Sequence, residues 1–245
     1  MDKAIIDAKG LRSIELNRRI KDAVASGVKE ILLKRVNGHR FIGTGIRGDV
    51  TITIDGVPGN DLAAFMDGPT IIVNSNAQDH VCNTMSNGTV IIHGDAGDVL
   101  GYSMQNGKLY IRGDVGYRVG VHLKAYRDKK PVIIVGGTAK DFLGEYMAGG
   151  VLIILGLGVN ERVVGNFIGT GMHGGVIYIR GSVEKHQIAK EATFSEITNE
   201  DEKILETCLK DYCSHFDLDL DEVMNTKFVK IVPASYRPYG KMYVY

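Results

Sequence analysis

Two segments match the glycine pattern that cradles a pyrophosphate, Gly43-Thr-Gly-Ile-Arg-Gly48 and Gly169-Thr-Gly-Met-His-Gly174. That chemistry needs a strand before the motif and a helix opening after it, so that the helix N-terminus meets the phosphates. Here the runs that follow, Thr51–Ile54 and Val176–Ile179, read as strands, and a chain with 31 glycines produces such matches by chance. The seven histidines, His39, His80, His93, His122, His173, His186 and His215, show no H-x-H or H-x-x-x-H spacing. Cys82 stands close to His80, but with no recurring ligand spacing a metal site lacks sequence support. His93 and Arg112 share one position of a repeat and read as solvated neighbours. Asp79, Asp95, Asp98, Asp114 and Asp141 could supply the paired carboxylates of a sugar-cleaving enzyme. Asp beside Gly is also ordinary turn chemistry, the carboxylate bonding nearby amides, and that reading is preferred. There is no G-x-S-x-G elbow and no P-loop. No catalytic, cofactor-binding or metal-binding residue is assigned.

Bulk properties narrow the class. Lys and Arg number 29, as do Asp and Glu, so no net charge argues for nucleic acid or an anionic membrane as partner. The basic run Arg127–Lys130 contains Asp128 and reads as a solvated loop tip. Cys82, Cys208 and Cys213 form no C-x-x-C pair, and an odd count argues against a disulfide framework. With no apolar stretch of signal-peptide or membrane-span length, the expectation is a reduced cytoplasmic protein.

What must position any site is a repeat. Seven short aliphatic runs, Thr51–Ile54, Thr70–Val73, Thr89–Ile92, Lys108–Ile111, Pro131–Val135, Val151–Leu155 and Val176–Ile179, read as strands, most of them followed by glycine. Aligned on Gly56, Ser75, Gly94, Gly113, Gly136, Gly156 and Gly181, they are spaced by 19, 19, 19, 23, 20 and 25 residues. Two positions before the anchor stand Ile54, Val73, Ile92, Ile111, Ile134, Ile154 and Ile179. Four before it stand Ile52, Ile71, Val90, Leu109, Val132, Leu152 and Ile177. Both columns point inward by strand alternation. The column just before the anchor (Asp55, Asn74, His93, Arg112, Val135, Leu155, Arg180) mostly faces water or a partner. After each anchor comes an apolar corner, Leu62, Val81, Leu100, Val119, Leu143 and Val164. A small residue follows, Ala63, Cys82, Gly101, Gly120, Gly144 and Gly165. Then come Met66, Met85, Met104, Leu123, Met147 and Ile168.

Like residues at near-constant spacing stack on one another, which is what a solenoid does. The expected fold is mainly β, a right-handed parallel β-helix of about seven coils. It divides into an N-terminal helix and strand cap (1–40), the β-helix (41–184) and a C-terminal helix and tail (185–245). The exposed ends need caps. Ser13–Ser26 reads as a helix, with Ser13 as N-cap and Gly27 as terminator, and Glu30–Val36 as a strand. Thr198 with Asp201 marks another helix start, followed by the stripe Ile204, Leu205, Leu209, Tyr212 and Phe216, a packing face for this chain or a partner. Phe228–Val232 and a tyrosine-rich tail close the chain.

The segments NSNAQDHVCNTMSNG (74–88), GDAGDVLGYSMQNG (94–107), GDVGYRVGVHL (113–123), GGTAKDFLGEYMAGG (136–150) and GTGMHGGVIYIRG (169–181) are similar, in number and order, to the GXGXG domain. That domain is the C-terminal β-helix of the glutamate synthase large subunit, and FVKIVPASY (228–236) resembles that subunit's closing segment. The resemblance runs from about residue 12. It implies a structural support: in that family the amidotransferase site, FMN and the iron–sulfur cluster lie in other domains. This chain would then be a separate, non-catalytic subunit without cofactors of its own. FMN, the iron–sulfur cluster and the amidotransferase would sit in partner chains that turn glutamine and 2-oxoglutarate into two glutamates. A related β-helix is a subunit of formylmethanofuran dehydrogenase, so a molybdenum or tungsten complex is the alternative. A free-standing carbohydrate-active β-helix enzyme is the third. Self-association of the rod stays open.

Overall fold

The computed structural model describes residues 3–159 and 162–235. It contains β1 (Lys3–Asp7), α1 (Ser13–Ala25), β2 (Glu30–Asn37), β3 (Thr51–Val57), β4 (Asp67–Val73), β5 (Asn87–Ile92), β6 (Lys108–Ile111), β7 (Val132–Val135), β8 (Ala148–Ile154) and β9 (Gly174–Arg180). A 3₁₀ turn (Lys185–Gln187), β10 (Ala192–Ser195), α2 (Asn199–Phe216), α3 (Leu220–Met224) and β11 (Phe228–Pro233) follow. Strands β1 to β9 pair in chain order, each parallel to the next. Sequential parallel neighbours require every connection to be a full winding, so this is a β-solenoid. β1 and β2 extend the ladder beyond the seven repeats evident in the sequence. β1 escapes a periodicity search because Lys-Ala-Ile-Ile-Asp is short and mostly exposed.

Two aliphatic columns fill the interior: Ile52, Ile71, Val90, Leu109, Ile133, Leu152 and Ile177, and Ile54, Val73, Ile92, Ile111, Val135, Ile154 and Ile179. All are fully buried. At β7 this differs from the sequence alignment by one residue. Ile133 and Val135 point inward, while Val132 and Ile134 face the opposite side. The run Val-Ile-Ile-Val carries no alternation that could fix its register. Backbone pairing fixes it instead: Gly137 N–H donates to Gly113 O and Gly156 N–H to Gly137 O, each at 3.0 Å, so Gly137, not Gly136, is the stacked glycine. The steps around it are therefore 24 and 19 residues (113 to 137, 137 to 156). The last corner also shifts. Gly169 N–H donates to Leu143 O just as Gly144 N–H donates to Val119 O. Hence Ile168, Gly169 and Met172 occupy the places expected for Val164, Gly165 and Ile168. Val164 instead bridges Ala139. The additional residues of the long windings form a loop near 124–130 and, among the described residues, a turn at 156–159. The first includes the Tyr126–Lys129 turn and the exposed Arg127–Lys130 tip.

The ends are closed by different means. α1 buries Leu16 and Ile20 in the solenoid core. Its N-cap is Arg12, without a side-chain cap, and Ser13 Oγ accepts from Arg40 N–H instead, correcting the expected cap. Gly27, at φ +85°, ends the helix as expected. At the C-terminal end β11 pairs antiparallel with β9 and β10 with β11. Thr198 and Asp201 do form a capping box for α2. This helix does not plug the end. It lies across the outside of the sheet, burying Leu205, Leu209, Tyr212, Cys213 and Phe216 on Ile91, Tyr110, Ile134, Ile153 and Tyr178. The tyrosine-rich tail falls in 236–245, outside the described residues. Among those described, no helix is long and apolar enough to cross a membrane.

Candidate functional site

The corner that leads into each strand has an unusual backbone. In each winding three alternate residues take positive φ, as in Arg118, Gly120 and His122, or Phe142, Gly144 and Tyr146. The outer two donate their N–H forward and the inner one backward. Phe142 donates to Asn166 O, Gly144 to Val119 O and Tyr146 to Thr170 O. Neighbouring windings thus hold one another in a conformation that costs a non-glycine residue on the order of 1–2 kcal/mol. The inner column is Gly43, Ala63, Cys82, Gly101, Gly120, Gly144 and Gly169, and it must be small. A Cβ on Gly101 would meet Ile133 Cδ1 at 2.3 Å, and on Gly144 Ile177 Cδ1 at 2.6 Å.

The outer columns project side chains to solvent. On windings near the middle of the stack these make two files. In one, Arg118 Cζ lies 4.6 Å from the Phe142 ring centre, and Phe142 stacks on Phe167 at 4.9 Å. In the other, Tyr102 meets His122 edge-on at 5.8 Å, and His122 stacks on Tyr146 at 5.1 Å. Glu145, buried, ties the files by pairing with Arg118. Tyr146 and Phe167 remain about half exposed, at 46% and 52%. The result is a pre-ordered aromatic strip carrying one arginine and one histidine, which no described segment covers. Such a patch is suited to binding rather than to bond-breaking.

Both glycine-rich segments turn out to be corners of this kind. Gly43 and Gly45, like Gly169 and Gly171, have positive φ, and each segment leads into a sheet strand, so no helix N-terminus is presented. The five aspartates are engaged in the solenoid backbone. Asp79 accepts from Asp98 N–H at 3.0 Å and Asp98 from Tyr117 N–H at 2.8 Å. Asp95 accepts from Asp114 N–H at 2.8 Å, Asp114 from Thr138 N–H at 2.7 Å and Asp141 from Asn166 N–H at 2.7 Å. Each carboxylate thus caps the next winding, the turn chemistry expected, and stands against glycines that leave it room: Gly97, Gly113, Gly116, Gly137 and Gly165.

Histidines and cysteines do not converge. Cys82 points inward, where burial pushes its thiol well up, while His80 is on the outer column. His93 is half-buried, with its ring edge-on to Phe216 at 5.2 Å, rather than freely solvated beside Arg112. Burial, then the charges of Arg112 and His215, lower its pKa. His39 accepts from Asn37 N–H through Nδ1, so its Nε2 donates to Leu11 O, 3.0 Å away. Among the described residues no three His, Cys, Asp or Glu side chains could share a metal ion. A cleft of about 530 Å³ lies between α2 and β11, lined by Glu196, Leu205, Met224, Phe228 and Lys230.

The strip residues Tyr102, Arg118, His122, Phe142, Tyr146 and Phe167 were missed in the sequence. The signal was there, one and two positions to either side of the small column, but residue type does not announce a left-handed backbone.

A family model for the GXGXG motif matches residues 12–234. An uncharacterized protein of Methanocaldococcus jannaschii is 52% identical over 253 aligned residues, covering 99% of this chain and 97% of that protein. A chain in the crystal structure of the formyltransferase/hydrolase complex of Methylorubrum extorquens, solved with methylofuran, superposes with a TM-score of 0.63. It is 18% identical, with 84% of this chain and 78% of that one covered, a likeness of fold.

Proposed function

Because this chain belongs to the GXGXG motif family, we propose that it is a non-catalytic structural and assembly subunit of a glutamate synthase-like complex. Amidotransferase, FMN and iron–sulfur chemistry would reside in partner chains, glutamine and 2-oxoglutarate giving two glutamates. The observation that carries the support role is the aromatic strip. Half-exposed rings at strained backbone positions are retained where burial against a partner offsets their cost. The resemblance of residues 74–181 and 228–236 to the glutamate synthase β-helix supports the choice of complex.

A second reading, a scaffold in a formylmethanofuran dehydrogenase-like complex, draws on the fold shared with a chain of the formyltransferase/hydrolase complex. Native purification of the tagged chain separates the two. Co-purifying chains that carry FMN, an iron–sulfur cluster and glutamine-dependent glutamate formation support the first. A molybdenum or tungsten pterin in the complex replaces it with the second. Glutaminase or glutamate synthase turnover by the chain alone contradicts the non-catalytic role.

A further inference from the structure

β1 is the outermost strand of the sheet, and among the described residues nothing pairs with its outer edge. The direction of its free groups follows from one bond: Ala8 N–H donates to Lys34 O of β2 at 2.9 Å. A residue's N–H and C=O share one side of a strand, and the side alternates along it. Ala4 and Ile6 therefore also bond to β2, whereas Lys3, Ile5 and Asp7 turn both groups to the open edge. The same three side chains stand on the outer face of the sheet. Ile6 lies in the core, and Ile5 is 61% exposed.

We propose that the chain forms a two-fold dimer in which β1 pairs antiparallel with β1 of a second copy, centred on Ile5. Lys3 then lies opposite the second copy's Asp7, Ile5 opposite Ile5, and Asp7 opposite Lys3. Each of these pairs exchanges two N–H···O=C bonds, because these residues hold the free groups. A β-branched apolar pair directly across a ladder is favourable, and Lys3 and Asp7, which pair with Glu30 and Arg35 of β2, would extend those ion pairs across the new ladder. Sliding β1 by two residues either way would set Ile5 against Lys3 or Asp7, and sliding by one would turn the wrong face inward. On the inner side Ala4 meets Ile6 of the second copy, beside the α1 cap that closes each core. A two-fold interface closes at two copies, whereas pairing of β1 with the other edge strand, β10, would propagate. This inference is independent of which enzyme complex the chain serves.

Sedimentation velocity on the full chain is expected to give the mass of two chains. Ile5→Lys places two ammonium groups at the axis and is expected to give the mass of one. Its circular dichroism should be unchanged, because the Ile5 side chain lies outside its own core, while its melting temperature should lose the concentration dependence that a dimer shows. Ile5→Cys gives a positive readout. Hydrogen-bonded antiparallel partners have Cα atoms about 5.5 Å apart, within disulfide reach, so mild oxidation should link two chains reversibly. The native Cys82 and Cys213 are buried and Cys208 half-buried, so the wild type should not link. A wild-type mass of one chain at high micromolar concentration overturns the proposal. So does a dimer indifferent to Ile5→Lys, or one that Ile5→Cys fails to link. Concentration-dependent fibres, the signature of β1–β10 pairing, overturn it as well.

Discussion

The same repeat presents two outward rows, and the chain treats them oppositely. On the strand face, Ile91, Tyr110, Ile134, Ile153 and Tyr178 are covered by α2. At the corner, Tyr102, His122, Tyr146, Phe142 and Phe167 are ordered by one another and left open. The covered row has ordinary β backbone and gains its stability from burial. In the open row, four of the five residues have left-handed backbone, and intramolecular burial returns little of that cost. The difference separates residues that hold the fold from residues that meet something else. Changes in the first row should be read as stability, and changes in the second as association.

The largest effect is expected at the centre of the covered row. Tyr212 packs edge-on to Tyr110 at 5.7 Å, and its hydroxyl donates to Ile111 O at 3.0 Å. It reaches that carbonyl because position 136 is glycine: a Cβ there would lie 2.4 Å from the Tyr212 hydroxyl. Tyr212→Ala should cost about 3–5 kcal/mol in denaturant unfolding, the range for deleting a buried aromatic ring. A loss below about 1 kcal/mol would mean that α2 is not integral to the fold, and the contrast between the rows would fail.

Next is the tie at the start of α2. Asp201 is buried and accepts from Tyr178 at 2.5 Å, Lys230 at 2.7 Å, and the Thr198 amide and hydroxyl at 2.8 and 2.7 Å. Asp201→Ala removes the N-terminal box of α2 and strands the Lys230 ammonium. A loss of about 3 kcal/mol is expected, as for breaking a buried pair from one side.

The same group makes the covered row sensitive to pH. Burial alone would raise the Asp201 carboxyl. The bonds from Lys230, Tyr178 and Thr198 outweigh burial and hold it well below the ordinary carboxylate range. Asp211 is lowered in the same way, burial being outweighed by Lys108 and Tyr110. A carboxyl lowered by folding contributes stability fully above its unfolded pKa of about 4, and that contribution is lost as pH falls below it. The stability gap between wild type and Asp201→Asn should therefore shrink from pH 5 to pH 2. Conversely, burial first, and then Asp211 and Asp201, raise Tyr110 and Tyr178. Their contribution declines above about pH 10, where the unfolded tyrosines ionise. Tyrosinate absorbance should lag behind that of free tyrosine until the chain unfolds.

The covered row also shows where the sequence speaks and where it is silent. Ile52, Ile71 and Val90 announce the ladder because β-branched residues recur every 19 positions. In β7 the run Val132–Val135 is aliphatic throughout, so its register is visible only in the backbone pairing, Ile111 with Val135 and Gly113 with Gly137. The stripe Leu205, Leu209, Tyr212 and Phe216 is plain, but what it covers is not. The buried row lies two positions before the column that reads as solvent-facing, on the same face of the strand. The corner is harder still. Phe142, Tyr146 and His122 adopt positive φ because neighbouring windings demand it, and only the glycine between each pair leaves a trace in the residue types.

The smallest effect on stability is expected at the open row, and it bears most on function. Tyr146→Gly removes a half-exposed ring from a left-handed residue. Relief of about 1–2 kcal/mol of backbone strain is set against a glycine entropy cost of about 0.5–1 kcal/mol and the lost His122 stack, roughly 0.5–1.5 kcal/mol if counted as an aromatic pair. The net change in unfolding free energy should stay within about 1 kcal/mol of zero. Tyr146→Gly combined with Phe167→Gly should keep the cooperative unfolding of the wild type. In the reconstituted complex, however, both changes should weaken partner binding at least about tenfold, as for aromatic anchors at an interface. If the double variant assembles normally, the strip is not where partners dock. If it unfolds instead, the corner supports the fold as the α2 face does, and the division between the two rows is lost.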